Sequence, residues 1–426
     1  MNFFQPKLFN SLKGYKPKNY LSDIIAGIIV AIIALPLSIA LAIASGARPE
    51  TGLFTAIIAG FTVSLLGGSK VNITGPTAAF ATIVAGIIAT QGMDGLVLAT
   101  IMAGLILIIM GLCRVGSLIK FIPHSITVGF TGGIAVTLVI GQLKDFFGLI
   151  YPDGATAIET IDKLKLVFEN LSTFNIWSFV IGVLGLLILI FWVKISKKIP
   201  GSLIAVLVGA LVCLIPAIKV NTIGSLYTIS SALPTFSIPS LSWEKVLAVL
   251  PNAFTIALLA GIESLLSCVV SDKMIDDKHN SNTELIALGT GNILVGFFGG
   301  IPATGAIART AANVKNGGRS PLSGMTHALV LLLVLVVLMP LASYIPMPII
   351  ASILFIVAYN MSEWREFVSI IKTKKWENIL VLIVTFALTV IFDLVKAIAV
   401  GLVIHYAIVL IKKIIEKHKN KTTPQA

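Results

Sequence analysis

One carboxylate stands alone in the run FTIALLAGIESLLSCVVSD, where Glu263 is the only charged residue before Asp272. Placed inside hydrocarbon, an acid is costly, so it marks a proton carrier or a sodium ligand. Ser267 lies one helical turn further on the same face and could supply a second oxygen. The alternative is a neutral Glu that caps backbone groups of a broken helix. Arg309, in ATGAIARTAAN, offers a cation that attracts an anion or offsets Glu263. Its alternative is to snorkel to the interface beside Lys315 and Arg319. The hydroxyls of Thr74, Thr77 and Thr304 can donate to an oxyanion, or bond back to the carbonyl of a preceding turn.

These residues sit in two stretches that resemble each other. Residues 65–80 read LLGGSKVNITGPTAAF and residues 297–307 read FFGGIPATGAI. Each holds a paired Gly, a short bridge, then Thr-Gly and a run of small residues. Pro36 lies 38 positions before Thr74, and Glu263 lies 41 before Thr304. The pattern predicts a duplicated seven-span unit, repeat 1 at about 20–200 and repeat 2 at about 245–415, inserted in opposite orientations. Matched Gly/Pro-interrupted segments in inverted repeats point to a substrate site at the bilayer midplane. Irregular backbone survives there only when it is buried in protein or lines a cavity. The half-helices should start near Pro76 and Ala306, with Pro suited to a first helical turn. Two such N-termini facing each other make an anion site without many charges. The competing account is that the glycines let helices pack closely.

The composition sets the solvent. The chain has 426 residues, of which 57% are hydrophobic and 12% charged, with a mean hydropathy of +1.00. A soluble domain carries about 25% charged residues, so this chain is a polytopic, all-α membrane protein. Fourteen apolar segments are expected near 23–45, 52–67, 75–91, 95–113, 118–141, 176–193, 201–217, 251–271, 284–299, 303–314, 321–339, 343–360, 378–392 and 394–412. The net charge of +12 is spread over tails and alternate loops. Lys70, Arg114, Lys120, Lys194, Lys197, Lys198, Lys273, Lys278, Lys315, Arg319, Lys372, Lys374 and Lys375 share one side with the N-terminal tail and with KKIIEKHKNK. With Arg48 and Lys144 as exceptions on the opposite side, the positive-inside rule then puts both termini in the cytoplasm; the plasma membrane is the expected location, and no patch is left for nucleic acid. The expected organisation is a tail over 1–20, a transmembrane domain over 21–415 and a tail over 416–426. Residues 156–170 and the run MSEWREFVSIIKTKKW read as interfacial helices, and 219–245 as an outer loop with some extended structure. Cys113, Cys213 and Cys268 read as small hydrophobes facing helix neighbours. His124, His327 and His405 read as structural or interfacial, and Asp272, Asp276 and Asp277 as solvated.

The run DIIAGIIVAIIALPLSIALAIASGARPETGLFTAIIAGFTVSLLGGSKVNITGPTAAFATIV and the block VVSDKM…KHNSNTELIALGTGNILVGFFGGIPATGAIARTAANVKNGGRSPLSG resemble the SulP family of sulfate permeases and bicarbonate transporters. The resemblance implies seven-plus-seven inverted spans, a core domain carrying the site and a gate domain mediating homodimer contacts, with elevator-like movement. It implies short strands before half-helices 3 and 10, and an anion held by Thr74, Gly75, Pro76 and Thr77 facing Thr304, Gly305 and Ala306. Glu263 and Ser267 match the positions that hold sodium in sodium-coupled bicarbonate carriers, with Thr304 as a further oxygen, and Arg309 matches a basic residue of sulfate-type and animal members. Two departures stand out: Leu37 replaces a frequent Gln, and the STAS domain common in the family is not expected after the last span. No organic cofactor is implied, and H+ or Na+ is the expected coupling ion.

Sulfate is therefore the first expected substrate and bicarbonate the second. A nucleobase–proton symporter would want more polar side chains near the half-helices, an anion channel would show non-saturating flux, and an intramembrane enzyme lacks a partner His for its serines.

Overall fold

The computed structural model describes residues 4–13, 15–117, 123–152, 155, 157, 159–196, 199–392 and 394–422, without the side chains of 394–396 and 415–422. Lys120, Lys197 and Lys198 and the ends of both tails lie outside the described residues. Helices α1 (Lys7–Leu12), α2 (Pro17–Ala44) and α3 (Pro49–Leu66) lead to a two-residue strand β1 (Thr74–Gly75) and a turn at Ala78–Phe80. There follow α4 (Ala81–Leu112), α5 (His124–Phe147), α6 (Thr160–Glu169), α7 (Ile176–Ile195), α8 (Gly201–Val212) and α9 (Ile223–Leu226). The second half holds α10 (Trp243–Ile275), α11 (Ser281–Phe297), β2 (Thr304–Gly305), α12 (Ile307–Lys315) and α13 (Leu322–Leu338). It ends in α14 (Met347–Met361), α15 (Trp364–Lys372), α16 (Trp376–Ile391) and α17 (Leu394–Thr422).

A helix lies under each expected apolar segment. The third and fourth run as one element, α4, bent where Gly92 takes φ 67°. Among the described residues nine elements are long and apolar enough to cross a membrane; α12, with nine residues, is too short to do so alone. α6 and α15 stand at the two expected interfacial positions. The 219–245 stretch is mostly loop, as expected, with an isolated bridge between Thr222 and Pro346 as its extended pairing; the short α9 within it was not expected. The cysteines differ too, since Cys268 is buried but Cys113 is exposed.

Helices sort into two packed groups. In the core group α4 packs on α10 and α11, α13 on α2 and α3, α11 on α3, and α12 on α10. In the gate group α5 packs on α14 and α16, and α7 on α14 and α8. α4 and α11 meet backbone to backbone. A Cβ on Gly104 would sit 2.6 Å from the Gly289 carbonyl oxygen, and one on Gly289 2.5 Å from that of Gly104. Small residues let helices approach this closely where lipid supplies no hydrophobic drive between them. On one end, α1 straps the core: Leu8 is buried, the Lys7 N–H donates to Gly67 (2.9 Å), and Lys7 and Lys70 pair with Asp277. Burial would raise the Asp277 carboxyl, but the Lys278 N–H and the two lysines outweigh it and hold it below the usual carboxylate range.

The α4–α11 crossing yields a test. Gly104→Ala should lower the thermal midpoint in detergent, by the equivalent of about 1–3 kcal/mol for overpacking. Gly141→Ala, where a Cβ meets nothing within 4 Å, should leave the midpoint unchanged; equal behaviour of the two would refute the close crossing.

Candidate functional site

After α3 and after α11 the chain leaves the helical ladder, and the two irregular stretches meet. β1 and β2 pair antiparallel, Thr74 opposite Gly305 and Gly75 opposite Thr304. The Ala306 N–H donates to Ile73 (2.8 Å). The glycines are required by what fills their Cβ positions: the Arg309 guanidinium lies 2.5 Å from a Cβ built on Gly75, and the Asn72 amide 2.6 Å from one on Gly305.

Beyond each strand a helix begins. Thr77, extended at φ −130°, precedes the turn into α4, and Ala306, at φ −103°, precedes α12. Neither start carries a side-chain cap. First-turn N–H groups have no partner within their own helix, and the aligned peptide dipoles make each end positive. The open side of this centre is marked by half-buried Thr77 and Glu263 and by exposed Ile307 and Ala308. Thr74, Gly75, Pro76, Thr304 and Gly305 are buried behind them.

The structure brings most of the expected side chains together and gives each a distinct orientation. Thr77 Oγ1 donates to Glu263 Oε2 (3.0 Å), joining the first half-helix to α10. Thr304 Oγ1 donates to the Ala260 carbonyl (2.7 Å), one turn before Glu263. Thr74 Oγ1 is buried without a hydrogen-bond partner. Ser267 faces elsewhere: its Oγ donates to Asn72 Oδ1 (2.7 Å) and meets Thr310 Oγ1 at 3.0 Å. Arg309 does not snorkel. Its side chain is buried, Nη2 donates to the Pro76 carbonyl, and Nε and Nη1 have no hydrogen-bond partner. Among the described residues no carboxylate forms an ion pair with it.

Sequence reading missed the residues that hold the two loops. Glu284, fully buried at the first turn of α11, accepts from the N–H groups of Gly68 (2.8 Å) and Ser69 (3.2 Å) and from Asn72 Nδ2 (2.7 Å). Thr310 accepts from the Ile73 N–H (2.9 Å), and Asn313 donates to the Val71 carbonyl (2.9 Å). On the other loop, Thr55 takes both backbone groups of Ile301 and Asn292 both of Ala303. Glu284 and Asn292 lie in HNSNTELIALGTGN, a run distinctive in type; a carboxylate opening an apolar helix was the available signal. His327, read as structural or interfacial, is wholly buried on α13.

Comparison with known proteins agrees with this architecture. A model of the sulfate permease family matches residues 20–385. A Bacillus subtilis (strain 168) protein named "Putative sulfate transporter YvdB" is 43% identical over 418 residues, covering 97% of this chain and 78% of its own. The bicarbonate transporter BicA of Picosynechococcus is 32% identical, covering 90% of this chain and 69% of its own. The solved transmembrane domain of a cyanobacterial BicA superposes with a TM-score of 0.81 at 30% identity, covering 90% of this chain and 98% of that one.

Two of the carboxylates make a contrast that can be measured. Glu284→Ala leaves buried backbone N–H groups unpaired, at roughly 1–3 kcal/mol each, and should lower the thermal midpoint clearly. Glu263→Ala removes a half-buried group with a single threonine donor and should leave the midpoint nearly unchanged. Equal shifts would contradict the division of labour between them.

Proposed function

The chain belongs to the sulfate permease family, and on that premise we propose that it is a secondary transporter carrying sulfate across the plasma membrane. Membership makes it a multi-pass transporter of inorganic anions and not an enzyme. The observation that carries the reading is the pair of uncapped half-helix starts meeting at Thr74–Gly75 and Thr304–Gly305. The substrate oxygens would bind the first-turn N–H groups after Pro76 and Ala306, with the Thr77 hydroxyl beside them.

Charge favours a divalent anion. Each helix start counts for about half a positive charge, and the unpaired Arg309 guanidinium adds one beside Gly75. With Glu263 neutralised by its cation the sum, about two, matches sulfate; the relative named as a sulfate transporter supports the same choice. Bicarbonate is the second reading, favoured by the likeness to BicA.

Uptake against an inside-negative potential costs about 2.3 kcal/mol per charge per 100 mV, and twice that for sulfate. Cation coupling offsets part of this. Glu263 is the proposed carrier of H+ or Na+, because it is a half-buried carboxylate joined to the anion site through Thr77. Ser267 and Thr304 would join a sodium site if their hydroxyls turned from Asn72 and Ala260. We further propose elevator-type movement of the core group against the gate group, assembly as a homodimer, and cytoplasmic termini. The remaining readings are a channel, which non-saturating flux would reveal, and a nucleobase symporter, which family membership disfavours.

Two measurements in proteoliposomes test this. Counterflow should exchange labelled sulfate well ahead of bicarbonate and chloride; a preference for bicarbonate would promote the second reading. In the Glu263→Gln variant, uptake should lose its dependence on the pH or sodium gradient while exchange persists. Unchanged gradient dependence would remove Glu263 from coupling.

A further inference from the structure

Away from the anion site, a groove of about 460 Å³ runs between the two helix groups. One wall is α8, from Leu203 to Leu211, with Leu214 just beyond its end. The other comes from the core: Leu35, Pro36 and Ile39 on α2, Val334 and Leu338 on α13, and the turn up to Ile345. Its floor is closed, with Ile39, Met339, Ala342 and Ile345 buried. Its rim is open, with Leu207, Leu211, Leu214 and Leu341 each more than half exposed. Of the lining side chains only Tyr344 carries a polar atom.

Three observations fix what covers it. First, the rim adjoins the exposed apolar residues Leu333 and Val337 of a helix long and apolar enough to cross a membrane, so in a bilayer the groove opens to hydrocarbon. An apolar cavity of about 150 Å³ stays dry and takes a hydrocarbon such as benzene; this one is roughly three times larger. Left empty, its walls would lose their dispersion contacts on one side. Second, its length takes most of one lipid tail. Within α8 the wall runs from Leu203 to Leu211, eight residue steps at 1.5 Å each or about 12 Å, and Leu214 extends it beyond the helix end, against about 15 Å for one leaflet of a ~30 Å hydrocarbon core. Third, the groove has a polar end. Tyr344 stands where the chain turns between α13 and α14, and aromatic hydroxyls favour the headgroup level.

We propose that this groove is a binding site for one acyl tail of a membrane phospholipid, lying along α8 with its ester end near Tyr344. The tail is then a wall shared by core and gate, lying beside the direct contact that α2 makes with α8. The site does not depend on which anion is carried.

Its test is photolabelling of the full chain in vesicles of phosphatidylethanolamine and phosphatidylglycerol containing a phospholipid with a mid-tail diazirine. Adducts mapped by mass spectrometry should concentrate on Leu207, Ala210 and Leu338. Relative to Leu187 and Phe191 on the exposed face of α7, we expect about tenfold enrichment, the ratio given by a preference of about 1.4 kcal/mol. Ala210→Trp, or the smaller change Val206→Phe, fills the groove and should return labelling there to the α7 level. Even labelling of both faces in the wild-type protein would overturn the site, whether or not either variant folds. So would undiminished labelling in a folded Ala210→Trp protein.

Discussion

Within hydrocarbon, no backbone N–H or C=O can be left without a partner, and each failure costs several kcal/mol. A helix meets this demand by itself; a break in a helix does not. This chain breaks two helices at the same depth, and the surrounding architecture follows from having to satisfy what they expose. Glu284, Asn72, Thr310 and Asn313 hold the loop before β1, while Thr55 and Asn292 hold the loop before β2. The remaining groups pair with each other across β1 and β2. The two helix starts carry no side-chain cap, and on the proposed reading their free first-turn groups are what an anion would bind. The polar scaffold also fixes their geometry before any ligand arrives, so binding need not order the loops.

The solvent, the two broken segments and their meeting at one centre were legible in the sequence, because each has a local signal; the antiparallel register of the two Thr-Gly pairs was not. Apolar runs announce helices, and a matched Gly/Thr-Gly interruption in two halves announces a shared centre. Side-chain direction was not legible. Glu263 and Ser267 are one turn apart on α10, yet one meets Thr77 and the other Asn72, because a half-helix lies on one side and a loop on the other. Arg309 was open between site and interface, and only the packing of α12 beneath Gly75 decides it. The role of Glu284 was hidden since its partners are backbone groups more than 200 positions earlier.

Carboxylates illustrate how environment divides one chemistry into several tasks. Asp23 is wholly buried and accepts from the N–H groups of Arg319 (2.7 Å) and Ser320 (3.1 Å) and from the Tyr15 hydroxyl (2.5 Å). Glu284 does the same for the loop before β1. Both carboxylates are surrounded by donors, and their oxygens are taken up in holding the scaffold. Glu50 pairs with Arg48 at 2.5 Å. Glu263 faces the open side with, among the described residues, only the Thr77 hydroxyl bonded to it, which on the proposed reading leaves lone pairs for an exchangeable cation.

On the proposed reading, Arg309 and Glu263 also set which step of a transport cycle feels the membrane potential. The helix starts carry partial charge but move with their own negative ends, so only formal charges count when the core is displaced. With Glu263 ionised, the empty site sums to zero, and its return is not opposed. Loaded with sulfate and one cation, the sum is −1, and inward movement is opposed by about 2.3 kcal/mol per 100 mV if the site crosses the whole field. Loaded with bicarbonate and one cation, it is zero throughout. A single carboxylate therefore makes the same scaffold electrically silent for a monovalent anion and voltage-limited for a divalent one. Sulfate accumulation through this site needs either a second cation or an anion leaving in exchange, and Glu263 by itself cannot supply that second charge.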